Sequence, residues 1–156
     1  MTYRITGLDP APFQHLFEAS DEVLAEALAT RTVAASDRGF PCRVSLEDAR
    51  QGEELILVHH VSNDVARPFR MAHAIYVRRG AERAMPVRNR LPAMLDSRTV
   101  GLRAFDKEGM MRSASLALPG QGDAQVRALF GDPEIAYVHA HNAAYGCFLA
   151  AIERDR

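Results

Sequence analysis

The sequence holds no tryptophan, a single lysine (Lys107) among 19 basic residues, and only two cysteines, Cys42 and Cys147. Two thiols are too few for the disulfide framework of a small secreted scaffold, and no Asn-x-Ser/Thr acceptor occurs, so reduced thiols and a cytoplasmic location are expected. The opening stretch MTYRITGLDP lacks the basic and apolar regions of a secretory signal. No apolar run approaches the about 20 residues that a membrane span requires, so no membrane partner is expected. With a net charge of −1 there is no one-signed field to hold nucleic acid or anionic lipid. Nor do the four tyrosines and seven phenylalanines alternate with basic residues as a single-strand binder would need. The catalytic signatures Gly-x-Ser-x-Gly and His-Glu-x-x-His and the EF-hand loop are missing too. Pro119-Gly120-Gln121-Gly122 is a poor phosphate cradle: it lacks the third fingerprint glycine and the Gly-Lys-Ser/Thr step, and Asp123 is expected to cap the following helix and occupy its amides.

What is present is ordinary globular material. A chain of 156 residues, 47% hydrophobic and 25% charged, is expected to form one domain over 1–156 with a core large enough to need no metal or disulfide. Tyr3 to Thr6 reads as a strand, and Asp9-Pro10 and then Ser20 start helices over about 10–18 and 21–29. From Arg31 onward, short alternating or β-branched runs predict strands at 31–36, 42–46, 54–61, 72–78, 98–106, 110–118, 135–142 and 147–153. Two short additional helices are expected, one after Leu91-Pro92 and one over about 123–130. Asp106 to Gly109 and Ala143 to Gly146 have the composition of hairpin loops, which makes their flanking strands antiparallel. The fold class is therefore α+β, a mainly antiparallel, curled or barrel-like sheet with N-terminal helices.

The richest chemistry lies in Tyr137-Val138-His139-Ala140-His141-Asn142. A strand's period of two puts His139 and His141 on one face, and a hairpin through Gly146 returns the chain toward them at Cys147. Two imidazoles and a thiol in that space, His139, His141 and Cys147, are a candidate set for zinc or iron. No cofactor is the preferred expectation, with one histidine bonded to the backbone in the core and the other nearer the surface. Asn142, Cys42 and Arg43 complete the candidate ligand-binding residues, since a nearby cation makes a thiol more reactive. Core packing is the competing role for both cysteines. His59 and His60 face opposite sides of their strand, His73 can reach a common pocket, and Arg103 with Asp106 is a candidate pair, although Asp106 suits the first position of its turn.

The blocks Tyr3-Arg4-Ile5-Thr6-Gly7-Leu8, Gly39-Phe40-Pro41-Cys42-Arg43-Val44-Ser45-Leu46, His73-Ala74-Ile75-Tyr76-Val77-Arg78, Leu102-Arg103-Ala104-Phe105-Asp106, and His139-Ala140-His141-Asn142 with Gly146-Cys147 resemble, in order, the bacterial domain-of-unknown-function family numbered 1203. That resemblance implies a small, single-domain bacterial protein and transfers no catalytic residue. The residues leave three functions open: a small-molecule pocket near the His139/His141/Cys147 hairpin, a non-catalytic interaction or homodimerisation module, and a zinc- or iron-binding enzyme.

Overall fold

The computed structural model describes residues 1–156. Strand β1 (Tyr3–Thr6) leads into α1 (Ala11–Gln14), which continues as a 3-10 turn over His15–Glu18. Pro10 takes the cap position of α1, one residue before the helix proper, and Pro12 lies in its first turn; the Ser20 hydroxyl accepts from the Val23 amide at 3.3 Å to cap α2 (Asp21–Glu26). Next come β2 (Ala29–Val33), β3 (Pro41–Cys42), β4 (Glu47–Asp48), β5 (Glu54–Asn63), β6 (Met71–Arg78) and β7 (Val87–Arg88). The C-terminal half holds α3 (Ala93–Asp96), β8 (Val100–Phe105), β9 (Met111–Ala117), α4 (Gly122–Phe130), β10 (Tyr137–Asn142) and β11 (Phe148–Arg154).

The strands form two open sheets rather than a closed barrel. The first is antiparallel throughout, in the order β7-β1-β11-β10-β8-β9, and the second runs β2-β5-β6-β3-β4 with only β3 and β6 parallel. The α+β class and the largely antiparallel pairing agree with the sequence pattern. The curl into one sheet does not occur, because β3 and β4 are two residues long and the chain turns sharply between them. The strand expected over 42–46 stops at Cys42: Leu46 donates back to the Cys42 carbonyl at 2.9 Å and adopts φ 56°, which closes a turn. Gln121, not Asp123, takes the cap position of α4; Asp123 sits in the first turn and accepts from the Tyr3 hydroxyl at 2.6 Å.

One face of the first sheet, with Ile5, Leu102, Val138, Ala140 and Ile152, packs under Met94 and Leu95 of α3 and Val126 and Phe130 of α4. A second core joins Phe13, Leu16, Phe17 and Leu24 from the N-terminal helices to Ile56, Val58, Ile75 and Val77 of the second sheet. Phe148 of β11 belongs to this second core, so the opposite face of the first sheet is the one that meets the second. The sheets are also tied at Gly7, where Leu8 donates to the Arg43 carbonyl at 2.9 Å; a Cβ on Gly7 would stand 1.8 Å from the Val44 carbonyl oxygen.

Candidate functional site

Strands β10 and β11 form the expected hairpin, joined by a turn that Asn142 organises. Its Oδ1 accepts from the Ala144 and Tyr145 amides at 3.0 and 3.1 Å, while Gly146 supplies φ 77° and donates to the Asn142 carbonyl at 2.8 Å. Val138 and Ala140 enter the first core, which leaves Tyr137, His139 and His141 on the other face. The two imidazole centroids are 6.3 Å apart.

A β-bulge builds the floor beneath them. Ala140 pairs with Ala150 and His141 with Phe148, so Leu149 is the extra residue and alternation reverses at that point. Phe148 is thereby turned away from Leu149, Ala150 and Ile152 and lies edge-on to His139 at 5.1 Å and to His141 at 6.0 Å. From the second sheet, His60 and His73 approach the same place: His73 is 4.9 Å from His141, and His60 is 6.1 Å from Phe148. Arg103 is paired in register with His139 on the neighbouring strand, and Gly101 with His141. Tyr137 donates to Asn63 Oδ1 at 2.7 Å and stacks on Phe105 at 5.1 Å, which closes one end.

The hydrogen bonding of these rings is incomplete. His141 Nδ1 lies 3.0 Å from the Gly146 carbonyl, an acceptor, so Nδ1 carries the proton and Nε2 is a bare acceptor. That Nε2 and the Nδ1 of His139 are buried without a partner. His73 Nδ1 contacts the Ser62 hydroxyl at 2.9 Å. Burial holds His141 down to about 3 and His139 to about 4, and it lowers His60 and His73 as well. Both hairpin histidines are therefore neutral near pH 7. Every charged side chain that bears on the four rings is a cation, chiefly Arg103 and Arg43. Neither arginine forms an ion pair; one Nη of Arg103 rests on Met71 Sδ at 3.2 Å.

The remaining candidates are distributed differently from the sequence expectation. Cys147 precedes β11, and its thiol contacts only the Tyr145 carbonyl, at 3.9 Å; Phe148 takes the place beside the imidazoles. Cys42 lies in the second sheet rather than in that of the hairpin, fully buried, with its sulfur accepting from the Arg78 amide at 3.3 Å. Both thiols are free. Arg43 is buried between the sheets, donating through Nε to the Phe148 carbonyl at 2.8 Å and through Nη1 to that of Pro41 at 2.7 Å. No three His, Cys, Asp or Glu side chains are arranged to hold a metal ion, His139, His141 and Cys147 included. Asp106 does not pair with Arg103: its carboxylate accepts from the Glu108 and Met110 amides and from Arg112 Nε at 2.7 Å. Sequence alone does not bring His60 or Phe148 to these rings, because their contacts cross between sheets or depend on the bulge, whereas Tyr137 shares the alternating face of His139.

A groove of about 470 Å³ between the N-terminal helices and β5, lined by Leu8, Phe13, Leu16 and Val58, reaches this cluster through His60 alone. His59, the next residue, faces the solvent. No helix is long and apolar enough to cross a membrane.

Two mostly antiparallel sheets with small helices define the chain as a mixed α+β protein. The family described as "Protein of unknown function (DUF1203)" matches residues 39–154, and the chain belongs to that family. All four clustered histidines, Arg43 and Arg103 fall inside the matched span. Neither the curated proteins nor the solved structures give a match to this chain.

Proposed function

We propose that this chain binds a small polar molecule against the Tyr137–His139–His141 face of the hairpin. The observation that carries the reading is the pair of buried imidazole nitrogens without partners, His139 Nδ1 and His141 Nε2, on a face that also holds Arg103. Native structures satisfy most buried polar atoms, and a neutral imidazole left open beside a guanidinium is suited to a ligand that supplies the missing bond. Two uncompensated guanidinium groups work against a bound dication, so a molecule rather than zinc or iron is the reading supported here. Imidazole NMR on the full chain tests it: small polar molecules should shift His73, His139 and His141 saturably while leaving the exposed His15 and His59 unmoved. Cluster resonances that stay fixed throughout such a titration series would reject it.

The edge strand β9 favours a second reading, a homodimer. It exposes a seven-residue margin, whereas the other edges are shorter, five residues in β2 and two each in β4 and β7. Ser113-Ala114-Ser115 at its centre carries no charge, and Leu116 beside it is 58% exposed, so antiparallel pairing with a second copy meets no repulsion. Light scattering should then give twice 17.2 kDa, and Leu116→Lys should return the monomer. A wild-type mass of one chain at high concentration removes this reading.

A further inference from the structure

We propose that the ligand of the histidine cluster is a small hydroxy acid, its carboxylate held by Arg103 and its hydroxyl donating to Nε2 of His141. This inference rests on the small-molecule reading above and names the chemistry of the ligand. It follows from what each side of the site lacks. Arg103 has a soft neutral sulfur at 3.2 Å and no anion, so one negative charge is missing on that side. His141 is fixed as an acceptor because its Nδ1 proton is committed to the Gly146 carbonyl, so on that side a donor is missing. A plain carboxylate supplies the charge but places a lone pair against Nε2. A neutral alcohol supplies the donor but leaves the guanidinium bare. One molecule bearing both groups satisfies both.

The strand register sets the spacing of the two contacts. Gly101 and Arg103 are two residues apart on β8 and so share a face, opposite His141 and His139 respectively, and two strand residues span about 7 Å. A Cβ built on Gly101, the register partner of His141, meets no atom within 4 Å, so the strand surface at that glycine is open. Phe148 packs edge-on against both imidazoles, and Phe105 packs against that of His139.

The test is titration of the full chain near neutral pH and constant ionic strength, read by imidazole NMR. Its probes are glycolate (hydroxyl and carboxylate), acetate (carboxylate alone), glycolamide (hydroxyl alone) and Zn²⁺. Glycolate is expected to shift His73 and His141 saturably, with a Kd about tenfold or more below those of acetate and glycolamide, the factor one charge-assisted hydrogen bond contributes. Arg103→Met should bring glycolate to the level of glycolamide. Gly101→Leu, which alters neither contact, should abolish glycolate binding by occupying the space, with thermal unfolding as the check that both variants fold. Glycolamide binding as tightly as glycolate removes the need for charge, and acetate doing so removes the need for the hydroxyl; either result overturns the hydroxy-acid assignment and leaves the small-molecule site standing. No saturable response to any organic probe overturns both. Cluster shifts with Zn²⁺ and none with glycolate overturn both in favour of a cation.

Discussion

Between pH 6.5 and 4 the protein is expected to lose several kcal/mol of stability through its buried histidines. In the unfolded chain a histidine takes up its proton near pH 6.5, whereas burial holds His139 at about 4 and His141 at about 3. Through that window the unfolded state binds more protons than the folded one, so stability falls as the pH falls. The stabilisation from neutral, buried rings is complete above pH 6.5 and is lost on passing down to about 4 for His139 and about 3 for His141. At roughly 1.4 kcal/mol per pH unit, His139 contributes about 3 kcal/mol and His141 about 5 over these spans, and the two together rival the whole stability of an ordinary domain. His60 and His73 are displaced in the same direction by burial and add to the slope. Asp106 and Asp123 are held low by their amide, tyrosine and arginine partners and act only at lower pH. Denaturant unfolding at a series of pH values measures the slope. His139→Phe, which keeps an aromatic ring beside Phe105 and Phe148, should flatten it by up to half. A wild-type midpoint unchanged from pH 7 to pH 5 would contradict the neutral, buried state of these histidines.

The strength of that pH response depends on a cluster only half of which is legible along the chain. His139 and His141 share a face because period-two alternation holds through β10, and alternation is visible in sequence. The loop that follows is equally plain, since Asn142 and Gly146 are the residue types its geometry demands. Cys147 was the natural third member by position, yet the bulge at Leu149 changes which residue faces the rings. Nothing local in Phe148-Leu149-Ala150-Ala151-Ile152 announces a bulge, because all five side chains are apolar and fit either face. His60 and Arg43 join the site from a second sheet, and a pairing between sheets has no period of its own. The same limit explains the fold: most strands lie within a few residues of their expected ranges, while the division into two sheets follows from β3 and β4, whose turn at Leu46 needs a left-handed backbone at a residue type that rarely adopts it.

Arg43→Met is expected to destabilise the protein by about 3 kcal/mol, although the arginine has no acidic partner to lose. Its guanidinium reaches from the end of β3 to the Phe148 carbonyl of β11 at 2.8 Å and back to the Pro41 carbonyl at 2.7 Å, so one side chain joins the two sheets. Burial lowers its pKa to about 10, which leaves it charged near pH 7. Methionine fills the volume and removes the desolvated cation, which offsets part of the loss, but it leaves two interior carbonyls without donors at about 1–3 kcal/mol each. Arg43→Lys should fall between wild type and Arg43→Met, since an ammonium lacks the planar fork that reaches both oxygens. The exposed pair Arg70–Asp64, at 3.3 Å, provides the control: Arg70→Met should change stability by less than about 1 kcal/mol. The effect should also reach the site, because Phe148 is held by Arg43 on its backbone and touches His139 and His141 with its ring. Denaturant midpoints measured with imidazole NMR on the same samples separate the outcomes. A loss of a few kcal/mol with displaced His139 and His141 resonances places Arg43 as the positioning residue of the cluster. A midpoint within about 0.5 kcal/mol of wild type and unmoved resonances would show that the sheets hold together, and hold the histidines, without it.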